Sequence, residues 1–481
     1  MEEKNPFLQK IFYHEDGTPQ DAAFIIGQLQ TKPIYFPRWD AIRKDYDPKY
    51  HEIITSHERR PKDRKRGDVI EKYARVAYPA ELNTVRRMVQ MCFTIPVKRY
   101  YYADNPDIAN EIQKIVEEVY KRNRIDGENM NRFKAYFASC EMATVWYVVQ
   151  QENDDYGFHS YYKLKCRSYS PMQKEYCRII QSTLYPLFDP MGDLVAFSFE
   201  YTTDVMGVKD TKFETFTADN HYRWRLNGHG DFEDDIVPEP LAIHKIPAIY
   251  ICRPEPIFEG VQNNRDEIEF TLSRMSDIIR KNSAPIMAIN GTLANGENED
   301  FNPQRDTTRE IFQFEGDGGG GISLISPTIS PENVNYYVGQ LQKNIEEETQ
   351  LPNLSLENTR GLGALTGEAR KTLLTDAHMK VGEEAHEIVA FLDRECRIIT
   401  SYLSHMNCEL AEKIKQVRIE HEVQPYVMND ADAAVKLAQT ASNGKQFASR
   451  KTLIEIAGLT SDIDAEEEAI KAEESEQDTY L

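Results

Sequence analysis

A glycine-rich stretch, NTRGLGALTGEARKTLL at residues 358–374, is where phosphate chemistry is first suspected. A phosphate-binding loop of the GxxxxGK[ST] type needs a lysine that reaches the phosphates and a hydroxyl that binds magnesium. Here Gly367 is followed by Glu368, so an acid stands where the cation is required. The dinucleotide-binding pattern fails too, because the spacing is GxGxxxG and no strand is predicted before it. We therefore expect these glycines to allow unusual backbone angles and not to bind a phosphate.

A second glycine cluster, EGDGGGGISL, lies at residues 315–324. Its glycines stand beside Glu315 and Asp317, whose carboxylates would repel a phosphate unless a metal ion intervened. The stretch therefore predicts a turn between two strands, with a contact loop for a partner protein as the alternative.

Motifs for catalysis are absent from the sequence. It contains no GxSxG, no HExxH and no DxDxDG pattern. His378 and His386 stand eight residues apart in a helical pattern, where we expect ordinary helix residues and not metal ligands. The seven cysteines are widely spaced, without CxxC or a Cys–His cluster, which predicts buried, reduced thiols in a reducing compartment. We expect no enzymatic activity, no metal and no cofactor.

The composition of the chain limits the classes of protein to which it can belong. The chain has 481 residues, 40% hydrophobic and 28% charged, which predicts a soluble protein with two to four subregions. No run of about 18 apolar residues predicts a membrane span, and the N-terminus MEEKNPFLQK does not have the pattern of a secretory signal. The formal net charge of −22 argues against tight non-specific DNA binding, which depends on Lys and Arg. It leaves open a protein that DNA slides past.

Two charged segments have two interpretations each. The basic run HERRPKDRKRGD at 57–68 predicts a solvated face, or a contact with phosphate or an acidic partner subunit. The C-terminal 21 residues carry nine acids and one lysine, which predicts a solvated or partly disordered tail.

Apolar spacing predicts the elements that carry these segments. A helix and a strand are expected within 69–103, helices within 106–145, and antiparallel β-structure from about 145 to 252. A helix with the stripe Ile268, Leu272, Met275 and Ile279 should end before Pro285. A mixed segment then leads to a second helix that starts at Pro331.

After the glycine-rich loop, the helical pattern continues without proline from 366 to about 416, which predicts a helix of about 75 Å. A strand QVRIEHEV, a helix from Asp430 and another from Ser449 should follow. The two helices that flank the mixed segment are apolar on one stripe only. Their stripes need neighbours, which copies of the chain in a ring would supply.

Five stretches of this sequence, in this order, resemble the portal proteins of tailed bacteriophages, the siphophage-type head-to-tail connector ring. They are NTVRRMVQM, STLYPLFDPMGDLVAFSFEYT, HKIPAIYICRPEPIFEGVQNNRDEIEFTLSRMSDII, SPENVNYYVGQLQKNIEEETQLPNLSLENTRGLGALTGEARKTLL and ASRKTLIEIAGLTSDIDAEEEAIKAEE. The resemblance covers about residues 70 to 475. It departs from the family where LTGEA replaces a run of the SG-x-A kind, and the first 65 residues match no family segment.

The resemblance implies an α+β portal fold with a β-rich wing, a helical stem, a small α/β clip, a long spanning helix and a helical crown. The implied regions are 1–66 (unassigned, outer wing), 67–258 (wing), 259–283 (stem helix 1), 284–330 (clip), 331–351 (stem helix 2), 352–365 (tunnel loop), 366–416 (long helix) and 417–481 (crown and acidic tail).

The function implied is a virion ring, expected to have twelve copies, at the capsid vertex, assembled in the host cytoplasm. Double-stranded DNA would pass through it during packaging and ejection, with no membrane involved. The implied partners are the terminase large subunit, the major capsid protein, scaffold and head–tail connector proteins. The alternative is another virion or scaffold-like oligomer that conducts no DNA, and a third hypothesis is an enzyme with an unrecognised site.

The same resemblance predicts two sets of contact residues. The tunnel loop would present DNA-channel residues, namely Asn353, Asn358, Thr359, Arg360, Gly361 and Gly363. The clip would present acids to the terminase or connector, namely Glu297, Glu299, Asp300 and Asp317.

Overall fold

The structure is a computed structural model that describes residues 5–31, 38–56, 63–66, 69–172, 179–205, 208–226, 232, 238–282, 286–290, 321–325, 331–354, 374–427, 449–458 and 466–472. These residues form both helices and sheets, in agreement with the mixed class predicted. The chain divides into two compact units, and several elements continue from one into the other. The first unit comprises Met1–Arg86, Arg132–Val145 and Arg167–Thr349, and the second comprises Arg87–Asn131, Trp146–Cys166 and Gln350–Leu481.

The N-terminal region, which matched no family segment, is mainly helical where it is described. The Asn5 side chain accepts a hydrogen bond from the Phe7 amide and Pro6 follows it, a favourable start for a helix. The elements are α1 (Pro6–Phe12), α2 (Ala22–Leu29), α3 (Trp39–Tyr46), α4 (Glu52–Thr55) and the paired strands β1 (Arg64–Arg66) and β2 (Val69–Glu71).

The next region has the predicted order of helix, strand and two helices. Asn105 caps the third of these elements and Pro106 is its first residue, while Arg124 ends it in the left-handed conformation with φ 55°. The elements are α5 (Ala80–Phe93), β3 (Lys98–Tyr102), α6 (Pro106–Asn123) and α7 (Ile125–Ser139).

The β-structure predicted from 145 to 252 is an eight-stranded sheet that begins at Glu141. Its strands are β4 (Glu141–Asn153), β5 (Ser160–Ser170), β6 (Ile179–Phe188), β7 (Leu194–Val205), β8 (Val208–Phe216), β9 (Asn220–Arg225), β10 (Glu239–Pro240) and β11 (Ala248–Cys252). Their order is β10-β9-β8-β7-β6-β5-β4-β11. One pairing differs from the antiparallel prediction, because Ser168–Ser170 runs parallel to Ile179–Gln181. Where they pair, β5 and β6 run in the same direction, so they do not form a hairpin.

The two faces of strands β7 to β9 bury different apolar clusters, since successive residues of a strand point to opposite faces. One face places Phe213, Tyr222 and Trp224 against helices α1 and α2. The other face buries Phe197 and Phe199 in a second cluster. The N-terminal region therefore supplies part of the core of the first unit.

Beyond the sheet, the first unit continues as two helices with a pair of strands between them in sequence. The elements are α8 (Gln262–Asn282), β12 (Ile286–Asn290), β13 (Gly321–Ile325) and α9 (Pro331–Thr349). Strands β12 and β13 pair in antiparallel fashion from Ile286↔Ile325 to Asn290↔Gly321. The mixed segment expected between the two helices thus includes a strand pair, and both flanking helices are present.

The long helix predicted for 366–416 is interrupted at Asn407, and its first residues, 366–373, lie outside the described residues. Helix α10 (Thr375–Met406) has 32 residues, about 48 Å, and a separate helix α11 (Cys408–Ile414) follows it. Asn407 interrupts them with extended angles, φ −140° and ψ 112°, and its side chain accepts a hydrogen bond from the Glu409 amide. An N-cap residue therefore starts a new helix where the apolar pattern alone predicted continuity.

The C-terminal region contributes a strand and further helices to the second unit. Strand β14 (Arg418–Glu422) matches the predicted strand and pairs with β3. Helix α12 (Arg450–Ala457) begins after the N-cap Ser449, as predicted. Within the acidic tail, residues 466–472 are helical. The helix predicted from Asp430 to Ala441 lies outside the described residues.

The core of the second unit contains a buried polar contact on α10. The indole nitrogen of Trp146 donates to Glu395 Oε1 over 2.9 Å, and Tyr402 donates to the Trp146 carbonyl over 3.2 Å. Trp146 and Glu395 are both fully buried. This contact fixes the position of the helix against β4 within that unit.

Candidate functional site

The predicted contact residues fall almost entirely outside the described part of the chain. Asn353 is half-buried, four residues beyond the end of α9 at Thr349. The other predicted residues lie outside the described residues, namely Asn358, Thr359, Arg360, Gly361, Gly363, Glu297, Glu299, Asp300 and Asp317. Their roles stay predictions. In sequence, helices α8 and α9 flank the segment that contains the predicted acids, and α9 precedes the tunnel loop.

Helices α8 and α9 run antiparallel as a pair. Tyr337 donates to Glu267 Oε1 over 3.3 Å, and Glu348 lies beside Gly260 at the other end. Gly260 has φ +102°, and a Cβ atom there would collide with the Glu348 carboxylate. Glycine is thus favoured where the chain enters α8 by its backbone angle, while the Glu348 carboxylate, at the end of an exposed side chain, would have to move for a Cβ atom.

Burial decreases along the helix pair. At the end of the pair that carries the start of α8 and the end of α9, Ile268 is fully buried and Ile345 is nearly so. At the end next to β12 and β13, Ile279 is 57% exposed and Tyr336 is 76% exposed. The predicted stripe of α8 is therefore covered at one end of the helix only. A single chain leaves apolar side chains at the other end in water, where association could bury them.

The exposed half of α9 is also poor in charge. From Pro331 to Gln340 it has one charged residue, Glu332, and two adjacent tyrosines, Tyr336 and Tyr337. Depletion of charge and enrichment in tyrosine are typical of the centre of protein–protein interfaces. The arrangement can therefore bury surface against another protein.

A polar face of α8 was not predicted from the sequence. Arg265, Glu269 and Ser273 follow one another at four-residue spacing and are all buried. Glu269 Oε1 accepts the Tyr78 amide over 2.6 Å, and Ser273 Oγ accepts the Val76 amide over 2.9 Å. This face thus holds the backbone of an extended segment that precedes α5. The regular spacing was visible in the sequence, but nothing there identified a backbone partner for it.

Arg265 continues this polar face at the start of α8. Its guanidinium donates to Glu81 Oε1 over 2.7 Å and to Asp45 Oδ1 over 3.2 Å. Burial raises the pKa of the Glu81 carboxyl to about 7, against the opposing effect of the Arg265 charge. Arginine and carboxylate therefore compensate one another in the interior of the unit.

No group of His, Cys, Asp and Glu within the described ranges could hold a metal ion. His378, one of the two helix histidines, has Nε2 3.0 Å from the Tyr426 carbonyl oxygen.

The cysteines of the described residues are thiols and not disulfides, as expected, but only some are buried. Cys92, Cys140 and Cys396 are buried, and burial raises the pKa of Cys396 to about 12. Cys408 is exposed, which corrects the prediction that all the thiols are buried. It lies at the first position of α11, outside the apolar core. Cys177 lies outside the described residues.

No helix in the described part of the chain is long and apolar enough to cross a membrane.

Solved structures of low similarity were found among particle necks. "Neck of empty GTA particle computed with C6 symmetry" is 12% identical, with a TM-score of 0.40, and the match covers 80% of this chain and 91% of that chain. "Neck of native GTA particle computed with C12 symmetry" is 11% identical, with a TM-score of 0.38, covering 80% and 90%. No curated protein matches the sequence.

A family model extends over nearly the whole sequence. It is described as "Phage portal protein, SPP1 Gp6-like" and matches residues 35–480. The match includes the sheet, the helix pair, both predicted contact segments and the acidic tail. It also begins within the N-terminal region that the motifs left unassigned. The family is structural and not enzymatic, which confirms the prediction that the protein is no enzyme. The chain therefore belongs to the SPP1 Gp6-like family of phage portal proteins and is a component of the virion.

Proposed function

We propose that this portal protein forms a ring of twelve copies at the capsid vertex, through which double-stranded DNA is packaged and later ejected. The observation that carries the proposal is the family match over residues 35–480. The exposed end of the α8–α9 pair supports it, because side chains such as Ile279 and Tyr336 would be covered by adjacent copies. In this assignment α8 and α9 are the stem helices and the segment between them is the clip.

The DNA channel would be lined by the tunnel loop at 352–365. Asn353, Asn358, Thr359 and Arg360 would present polar groups, and Gly361 and Gly363 would allow the sharp turn between helices. The net charge of −22 per chain surrounds DNA with like charge, while Arg360 supplies a sparse ring of positive charge. Contacts of this kind touch phosphates without reading bases, which suits translocation.

The partners would meet different parts of the ring. The terminase large subunit and the head–tail connector proteins would dock in turn on the clip at 284–330, where Glu297, Glu299, Asp300 and Asp317 supply acidic groups. The major capsid protein and scaffold would surround the ring during assembly in the host cytoplasm. The crown at 417–481 would face the capsid interior.

Mass measurement and electron micrographs of the purified protein test this proposal. Twelve chains of 55.6 kDa give about 670 kDa, and particle views down the axis should show an open hole wide enough for duplex DNA. A closed oligomer without such a hole would favour a virion protein that conducts no DNA. A folded single chain at every concentration and salt condition would contradict the proposal.

A further inference from the structure

A histidine is enclosed in the first unit between two hydrogen-bond acceptors. His51 is 1% exposed. Its Nδ1 lies 2.6 Å from Glu269 Oε1, and its Nε2 lies 2.7 Å from the Asp45 carbonyl oxygen. The ring therefore joins helix α8 on one side to the end of helix α3 on the other.

These two contacts determine which ring nitrogens of His51 carry a proton. A backbone carbonyl only accepts hydrogen bonds, so Nε2 must carry a proton. Glu269 Oε1 already accepts the Tyr78 amide over 2.6 Å, which marks it as an acceptor as well. A neutral imidazole has one N–H and cannot satisfy both acceptors, whereas an imidazolium donates from both nitrogens. The pair of His51 and Glu269 thus holds one proton more than a neutral imidazole beside a carboxylate.

The surrounding charges favour that additional proton. Within the His51 cluster, defined as His51, Glu81, Arg265 and Glu269, two carboxyls face one permanent cation. His51 Nε2 lies 4.0 Å from Glu81 Oε2, and Glu81 Oε1 binds Arg265. A protonated His51 adds a second cation beside these carboxyls. Titratable neighbours on the surrounding elements include Asp45 and Tyr46 on α3, Glu52 on α4, Tyr78 before α5, and Asp266 on α8. Asp45 and Asp266 also pair with Arg265.

We propose that His51 is a proton-dependent latch, whose imidazolium fastens the segment 45–56 and the backbone at Tyr78 to helix α8, and whose deprotonation loosens both. Glu269 is the common partner, since one of its oxygens receives both His51 and the Tyr78 amide. Its other oxygen, Oε2, is buried without a hydrogen-bond partner. Loss of the imidazolium proton would leave the Glu269 carboxylate facing a lone pair in the interior, which is unfavourable.

Solvent reaches the edge of this cluster. A cleft of about 520 Å³ is lined by residues of α4 and α8, including Ile53, Phe270 and Glu269 itself. Protons can therefore exchange with the cluster without unfolding of the unit.

The direction of the pH dependence follows from the pKa shifts of His51 and Glu81. Burial alone would lower the pKa of His51, but the hydrogen bond and charge of Glu269 outweigh it and raise the pKa above its ordinary value. A raised histidine pKa stabilises the fold fully below about pH 6.5 and loses that effect as pH rises through the folded value. Glu81, whose pKa is raised to about 7, acts in the same direction over the range below that pH. The latch is thus closed at mildly acidic pH and weakens at alkaline pH.

Hydrogen–deuterium exchange of the full-length protein tests the latch. Peptides that cover residues 45–56 and 74–81 are followed from about pH 6 to about pH 9, with rates corrected for the intrinsic pH dependence of exchange. Above the folded pKa of the pair, the opening equilibrium of both segments should rise by up to about tenfold per pH unit, as loss of one proton requires. Equal opening across this range in the natural sequence would overturn the proposal.

Glu269→Gln separates the latch from a general effect of pH. The amide oxygen of glutamine can still accept the Tyr78 amide, and its NH₂ group can donate to a neutral imidazole. Both segments should remain protected in this variant, and their pH dependence above about pH 7, where Glu81 no longer contributes, should disappear. Retention of the natural slope in E269Q would contradict the assignment.

Two further variants are controls. The first keeps the test valid if folding is weakened, and the second tests whether another histidine causes the pH dependence. The glutamine of the His51→Gln variant does not titrate, so the slope above about pH 7 should vanish even if protection decreases. His244→Asn alters an exposed histidine of the same unit that pairs with Asp219 over 2.8 Å, in a left-handed position that asparagine tolerates. The natural pH slope should persist in H244N, and its loss there would argue against His51 as the titrating group.

Discussion

Gly260 is the residue on which the geometry of the helix pair depends most directly. It adopts φ +102° at the entry to α8, with the Glu348 carboxylate where a side chain would begin. We expect Gly260→Ala to lower the free energy of unfolding by about 1–3 kcal/mol, because alanine is strained at this angle. Urea titration measures the effect.

Gly339 supplies the matched control for this substitution. It lies in the middle of α9, its φ is not positive, and no atom lies within 4 Å of the position that an alanine Cβ would take. Gly339→Ala should therefore stabilise the protein by about 0.5–1 kcal/mol through better helix propensity. Equal effects of the two substitutions would show that backbone strain at Gly260 is not the cause.

Arg360 is the residue with the sharpest predicted role in the channel. If the tunnel loop lies against DNA, Arg360→Glu should reduce the yield of packaged DNA, because a ring of repulsion replaces a ring of attraction. Ring assembly should be unchanged in electron micrographs. Arg360→Lys keeps the charge and should retain most of the yield. Normal packaging by the glutamate variant would count against a role for this loop.

At the scale of elements, Asn407 decides that two helices replace one. Its side chain accepts the Glu409 amide over 2.9 Å and its backbone is extended. Asn407→Ala should destabilise the protein by about 1 kcal/mol, because an N-cap hydrogen bond is lost. Chemical denaturation of the variant measures the loss. Asn407→Ser retains a capping oxygen and should be nearly neutral, so an equal loss in both variants would exclude the capping explanation.

The strands of the sheet and helix α9 illustrate which features of the fold can be predicted from a sequence. Strands β7 to β9 alternate apolar and polar residues, and α9 combines an apolar stripe with Pro331 at its first position. Local signals of this kind are sufficient for the existence of an element. The parallel contact between β5 and β6 has no local signal, since it depends on the path that the chain takes between them.

At the scale of the whole molecule, the exposed end of the helix pair should drive association. Ile279→Glu places a charge on a side chain that is 57% exposed in the single chain. Folding of the single chain should change by less than about 0.5 kcal/mol, whereas the ring should form poorly, because each interface would bury a carboxylate. Sedimentation velocity measures the ring fraction.

Asn335→Glu is the control for charge alone, since Asn335 is exposed on α9 and is already polar. It should assemble better than Ile279→Glu. If the Ile279 variant forms rings as completely as the natural chain, this surface is not a contact between copies.

The mixed helix and sheet class, the order of the main elements and membership of a portal family could be predicted from the sequence, because they depend on local periodicity and on matches spread along the chain. The sequence also excluded phosphate-loop chemistry at 358–374, since Glu368 replaces the required cation. The tertiary structure alone decided which polar residues are buried. Arg265, Glu269 and Ser273 have the types and spacing of a solvated helix face, yet they bind His51, Glu81 and two backbone amides. These partners lie between 184 and 218 residues away along the chain, and only folding brings them together.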